Sequence, residues 1–396
     1  MKPSTPVRPC TNSLIRTIVL VLALMFYHHP CHGESGVSQQ AIILGQSCAL
    51  SGPAGDLGSG MKAGLETAFD EINARGGIQG RHILLYSMDD YYEPGQASRN
   101  TEFLILHDNV FMLVGHVGTP TSKASLPIAQ ARNVPFFAPF TGARFLREPF
   151  CRTVINIRSG YDEEMMHMIS HLVKARNIRK IACFYQDDSF GKASLDSVER
   201  ALAAHDLTLT ARGSFQRNTV AVMAGLKKIQ QACPQAVVLV GPHPPCAEFI
   251  KLAVARGMDA TVFCALSFAG VNALNQALGP MPQDIIVSQV MPFPWDESLP
   301  IIRDFHGAVA TWRPRTDIDY SSFEGYVAGR LFCHIAQGLT APPTRESFIA
   351  ALENARSFNL GGIAMEFGPL DHQGMNQTYL ILLQNGVIKP LNGLDQ

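Results

Sequence analysis

The chain has 396 residues, of which 46% are apolar and 16% charged, with a formal net charge of -1. This length exceeds one ordinary core, so two lobes of roughly 150 to 200 residues are expected. The near-zero charge excludes a basic face for nucleic acid and an acidic tail. At the N-terminus, Lys2, Arg8 and Arg16 precede an apolar run over 18–27, and small residues surround a cut after Gly33. That is the three-part layout of a cleaved signal over 1–33, too short to span a membrane, and it predicts a periplasmic protein. Nine cysteines are present; Cys10 and Cys31 leave with the signal, so seven remain. An odd number in an oxidising compartment leaves at least one thiol free or paired between chains. No CxxC or Cys/His metal spacing occurs, and no metal or cofactor is assigned.

In chain order, a strand over 41–50 is followed by the glycine-spaced loop SGPAGDLGSG (51–60) and a helix over 61–74. The loop has neither GxGxxG nor GxxxxGK[ST], so it marks no phosphate site. A strand over 81–89 and a helix opened by Pro94 lead to the buried strand FMLVGH (111–116). The hydroxyl-rich turn Gly118, Thr119, Pro120, Thr121, Ser122 then opens a helix, and a strand over 134–139 ends in a second loop at Phe140, Thr141 and Gly142. Loops after consecutive parallel strands lie side by side at the carboxyl edge, so these two face one crevice. Helix N-termini there favour an anionic or hydrogen-bonding ligand.

An extended stretch over 153–157 leads to a fresh alternation. Helices over 162–175, 190–205, 221–231 and 245–256 interleave with strands over 180–185, 208–214, 236–240 and 261–265. A strand over 284–290 and a Pro-rich crossing segment (291–300) precede helices over 299–312, 321–338 and 345–355. Strands over 362–367 and 377–384 follow, with a hairpin turn at Asn385 and Gly386. The pattern predicts an α/β fold of two doubly wound parallel-sheet lobes. The N-terminal lobe is expected over 41–157 plus 291–367, and the C-terminal lobe over 158–290 plus 368–396.

Several segments in this order resemble the type I periplasmic binding proteins of the leucine/isoleucine/valine-binding group. They are SGPAGDLGSGMKAGLETAFDEINARGGIQGRHILLYSMDD (51–90), GHVGTPTSKA, PFFAPFTGA, FYQDDSFGKASLDSVERAL (184–202) and the late GGIAMEFGPLDHQG. The resemblance covers nearly all of the mature chain. It implies two lobes joined by three crossover segments, a ligand enclosed when they close, and delivery to an ABC-type membrane permease. It also implies site positions. Thr119, after Gly118, stands where amino-acid-binding relatives offer a Ser to the ligand carboxylate. Phe140, Thr141 and Gly142 form the next loop, with Gly142 in place of the expected Thr and Thr141 as its substitute. Phe190 keeps the aromatic ring that lies over the ligand but loses its hydroxyl, and a second aromatic falls near His243 or Pro244. The acid that balances a ligand ammonium aligns with Ser267, beside Phe268, and ALSFAG contains no acid. Tyr161 completes the expected lining.

A buried ammonium without a carboxylate partner costs several kcal/mol, so a free amino acid fits this lining poorly. Leu57, Phe140, Phe190, Pro244 and Phe268 predict an apolar cleft for an uncharged, aromatic or largely hydrophobic small molecule. Thr119, Thr141, His243 or Ser267 would hold its polar end. A branched-chain amino acid or amide ligand, a sensor on the same fold, and an α/β enzyme are the alternatives. No GxSxG elbow or HExxH occurs, and no enzyme is expected. His167 and His171, with Glu163 and Glu164 upstream, read as a solvated helix face, and Asp89 and Asp90 as turn caps. The expected form is a monomer.

Overall fold

Five short strands make the first sheet. In the computed structural model, which describes residues 1–4, 33–281 and 283–391, they are β1 (Ala41–Cys48), β2 (His82–Asp89), β3 (Met112–Val114), β4 (Phe136–Phe137) and β5 (Val154–Ile155). The order is β2-β1-β3-β4-β5, all parallel. β1 is paired on both sides and buried along most of its length, as a strand covered on two faces must be. The connecting helices are α1 (Gly55–Ala74), α2 (Pro94–Leu106) and α3 (Thr119–Gln130). Most of the expected signal falls at residues 5–32, outside the described residues.

The chain then crosses to a seven-stranded sheet. Its elements are α4 (Tyr161–Ser170), β6 (Ile181–Gln186), α5 (Ser189–Ala203), β7 (Ala211–Phe215), α6 (Met223–Gln231), β8 (Ala236–Val240), α7 (His243–Ala255), β9 (Val262–Ala265), α8 (Val271–Leu278) and β10 (Ile285–Gln289). Asp188 caps α5 by accepting from the N–H groups of Phe190 and Gly191, which fixes Phe190 at the helix start. Next come α9 (Pro300–Trp312), α10 (Tyr320–Gln337) and α11 (Arg345–Ala355), the last two opened by capping boxes at Asp319 and Thr344. A hairpin of β11 (Ser357–Leu360) and β12 (Ile363–Glu366) follows, then β13 (Tyr379–Gln384) and β14 (Val387–Pro390). The second sheet runs β14-β13-β10-β9-β8-β6-β7, and β13 and β14 add antiparallel edges to its parallel centre. The first and third crossings lie against each other: Asn156 N–H donates to His372 O at 2.9 Å, and Gly374 N–H to Asn156 O at 2.8 Å.

The glycine-spaced segment departs from its expected form. It is helical from Gly55, because its glycines serve close packing rather than a loop. A Cβ at Gly58 would lie 1.8 Å from Ala49 O, and one at Gly64 1.9 Å from Ser322 O. α1 and α10 therefore run almost backbone to backbone, which fixes α10 on the first lobe. The strand expected over 208–214 is Ala211–Phe215, and β11 was not anticipated. All seven cysteines between Cys48 and Cys333 are free thiols; five are buried, Cys151 is half-buried and Cys233 is exposed. No described helix is long and apolar enough to cross a membrane.

Candidate functional site

The loop after β2 sends an unexpected ring into the seam between the lobes. Asp89 and Asp90 accept from the N–H groups of Tyr91 and Tyr92, each at 2.9 Å, and so hold two successive left-handed residues (φ 56° and 59°). Ser47 Oγ donates to Asp90 at 2.9 Å, yet burial pushes the Asp90 carboxyl up to about 7. The turn-cap role expected of this pair is what the structure has. The result is a fully buried Tyr92 ring. Gly118 makes room for it: its φ is 103°, and a Cβ there would lie 2.3 Å from Tyr92 Cε2.

The two loops after β3 and β4 meet as expected. Thr119 Oγ1 lies 2.7 Å from Thr141 Oγ1, and both lie 3.0 Å from the Tyr161 hydroxyl at the start of α4. All three side chains are buried, and Gly142 lets Tyr161 approach: a Cβ there would sit 2.5 Å from Tyr161 Cδ1. Phe190, whose centroid is 5.7 Å from the Tyr161 ring, joins this triad to a ring cluster centred on Phe268. The Phe268 centroid is 4.8 Å from Phe190, 5.7 Å from Tyr92 and 6.0 Å from Phe140, with tilted planes. Leu57 closes one side against Gly270, where an added Cβ would be 3.2 Å from Leu57 Cδ2.

Behind the rings lies a charge cluster that the sequence did not announce. The Arg158 guanidinium sits 4.3 Å from the Phe140 ring centroid and donates from Nη2 to Ser267 Oγ at 2.7 Å. Glu164 on α4 approaches Arg158 to 4.0 Å and accepts from Ser267 N–H (3.2 Å), Ser267 Oγ (3.1 Å) and Ser288 Oγ (2.6 Å). Glu324 on α10 reaches Arg158 Nη1 at 3.6 Å from the opposite lobe. All three side chains are at most 2% exposed. Burial raises both carboxyls, Glu324 to about 7, and Arg158 opposes the rise. An acid therefore does reach Ser267, from another helix rather than from its own segment.

His243 and Pro244 are not part of this constellation. α7 begins at His243, two residues earlier than expected, and both residues lie half-buried at the rim. His243 Nδ1 is 3.7 Å from Asp56; burial lowers its pKa against that carboxylate. His167, on the helix face expected to be solvated, is half-buried and bonds to Thr378 Oγ1 at 2.9 Å. Two rim contacts tie the lobes. Arg217 and Asn218 each reach Glu93 at 2.7 Å on one side, and Asn272 Nδ2 donates to Ile318 O at 3.1 Å on the other.

The family model described as periplasmic binding protein matches residues 41–386. The solved structure of a possible leucine/isoleucine/valine-binding protein from Rhodopirellula baltica SH 1 is 35% identical, with a TM-score of 0.85 over 90% of this chain and 97% of that one. Leu/Ile/Val-binding protein homolog 7 of Brucella abortus (strain 2308) is 26% identical over 221 residues, 54% of this chain and 55% of that protein. This chain thus spans about half the length of the curated relatives it matches. A solute binding protein from R. palustris in complex with benzoate shares the fold at 20% identity and a TM-score of 0.76, over 89% of this chain and 95% of that one.

Proposed function

The chain belongs to the periplasmic binding protein family, and from that premise we propose that it captures a small, uncharged, aromatic or largely hydrophobic ligand between its lobes and hands it to an ABC-type membrane permease. The observation that carries this reading is the position of Phe268, a ring of the second lobe buried between Tyr92 and Phe140 of the first. A flat apolar ligand would enter among these rings when the lobes part and be enclosed when they return.

The charge cluster disfavours an anionic ligand: Glu164 and Glu324 already face Arg158, so a ligand carboxylate would meet a like charge at close range. The Thr119–Thr141–Tyr161 triad would hold a polar end. Benzoate in the R. palustris neighbour agrees with an aromatic ligand, while the Leu/Ile/Val name of the Brucella relative favours an amino acid. The expected signal, if cleaved, would place the mature protein in the periplasm. Closure is then the output: a ligand touching both lobes stabilises the closed form by its differential affinity, and the permease reads that form.

Mass spectrometry of small molecules extracted from the protein purified from its native host tests the reading. Recovery of one stoichiometric uncharged apolar compound, lost when Phe140 and Phe190 become Ala, is expected. A stoichiometric amino acid in its place would overturn the ligand assignment.

A further inference from the structure

Where α10 meets the first crossing, one guanidinium faces two carboxylates. Arg158 lies between Glu164 on α4 and Glu324 on α10, which belong to opposite lobes, and all three are at most 2% exposed. The two carboxylates are not equally provided for. Glu164 accepts from Ser267 N–H, Ser267 Oγ and Ser288 Oγ, groups of its own lobe that stay with it when the lobes part. Arg158 is held to the same lobe by its 2.7 Å bond to Ser267 Oγ. Glu324 meets Arg158 only as an ion pair at 3.6 Å, longer than the roughly 2.7–2.9 Å of a charge-assisted hydrogen bond. Its buried Oε1 has no hydrogen-bond partner among the described residues. The space beside it, ≈ 10 Å³, holds about one water, too little to hydrate a carboxylate.

We propose that Glu324 binds a proton when the lobes close and releases it when they part, so that closure of this protein is coupled to proton uptake. The inference rests on lobe closure as the output and on no property of the ligand. A buried carboxylate that its surroundings do not balance either holds the lobes apart or is neutralised by a proton. In the open form the α10 carboxyl faces water in the cleft and behaves as an ordinary glutamate. In the closed form burial raises it to about 7. Arg158 of the first crossing and Arg147, after β4, oppose that rise, Glu164 of α4 adds to it, and burial outweighs them all. On its own helix, Asp319 is turned to the Ser322 N–H and the Ser321 hydroxyl, and burial keeps the Tyr320 phenol neutral.

The sign follows from which form holds the proton more tightly. The closed form does, so it gains as pH falls through about 7, and the gain is complete below the ordinary glutamate value of about 4.3. Between pH 8 and pH 5 the closed-to-open ratio should rise on the order of 50- to 100-fold. The rim histidine acts in the opposite sense: burial lowers the His243 pKa, so acid favours parting there. Closure driven by acid therefore points to the seam carboxyl and away from the rim.

The test is small-angle X-ray scattering of the full chain without ligand at pH 8 and pH 5. It uses Phe268→Ala, whose weakened closure keeps both forms populated, with and without Glu324→Gln. The radius of gyration is expected to fall from pH 8 to pH 5 in Phe268→Ala. It should stay at the smaller value at both pH values in the double variant, because the amide is neutral throughout and has the shape of the protonated acid. Hydrogen-ion titration of the otherwise unaltered chain supplies a second reading: it should take up about 0.9 proton more than Glu324→Gln between pH 8 and pH 5. A radius of gyration that does not move with pH, or that moves equally in the double variant, would overturn the proposal, as would equal proton uptake in the titration. Each of these results would leave the ligand reading standing, since no ligand takes part.

Discussion

Replacing Phe268 by Ala distinguishes a residue that holds the lobes together from one that holds a lobe together. The ring is fully buried, but two of its three ring partners, Tyr92 and Phe140, belong to the opposite lobe. When the lobes part, Phe190 stays beside it, so about half of the roughly 1.5–3 kcal/mol from burying a Phe side chain is at stake in closure. The two cross-lobe ring pairs add about 0.5–1.5 kcal/mol each. Phe268→Ala should therefore weaken closure by roughly 2–4 kcal/mol, or about 30- to 700-fold in the closed-to-open ratio. Small-angle X-ray scattering of the variant should show a larger radius of gyration than the wild type, with a urea-unfolding free energy lower by no more than what closure loses. An unchanged scattering profile with stability lower by about 3–5 kcal/mol would refute the reasoning and make Phe268 an ordinary core residue.

Two further outcomes follow from buried groups near the site. His116 is fully buried against Phe136 and its pKa is held at about 3 by burial, so the folded protein keeps it neutral while the unfolded chain takes up a proton below about 6.5. Its contribution is present above that pH and lost as pH falls, by about 2 kcal/mol at pH 5. The drop in unfolding free energy between pH 7.5 and 5 should be smaller by that amount in His116→Phe; equal drops in the two proteins would refute it. Gly118→Ala sets a Cβ 2.3 Å from Tyr92 Cε2 at φ 103°, a backbone region nearly confined to glycine. It should lower stability by about 1–3 kcal/mol from the backbone alone, and an unchanged melting temperature would show that the turn relaxes freely.

Part of this site was legible because the fold class fixes where parallel-strand loops meet. Thr119, Phe140 and Thr141 follow β3 and β4, and an alternation read from apolar runs suffices to gather them; Phe190, after β6, and Phe268, after β9, are positions that the family resemblance implied. The charge cluster was not legible. Glu164 sits beside Glu163 on a helix whose polar residues read as solvated, and Arg158, Glu164 and Glu324 come from the first crossing, α4 and α10. Only the packing of α10 on α1 brings Glu324 to Arg158, and that packing depends on glycines whose spacing reads equally well as a loop. Tyr92 was missed for a related reason: its direction is set by two left-handed residues, a conformation that composition does not announce.

The Thr119–Thr141–Tyr161 triad has a chemical polarity of its own. Three hydroxyls in mutual contact can each donate once and accept once, so a closed circuit uses every proton inside the ring. Thr141 Oγ1 also accepts from Ala143 N–H at 3.3 Å. What the circuit still offers outward is lone-pair density on Thr119 and Tyr161. In the proposed role, a ligand O–H or N–H would be received without disturbing it, whereas a carbonyl or carboxylate oxygen would first have to turn one hydroxyl out of the circuit. Such a seam would discriminate by hydrogen-bond sense as well as by shape.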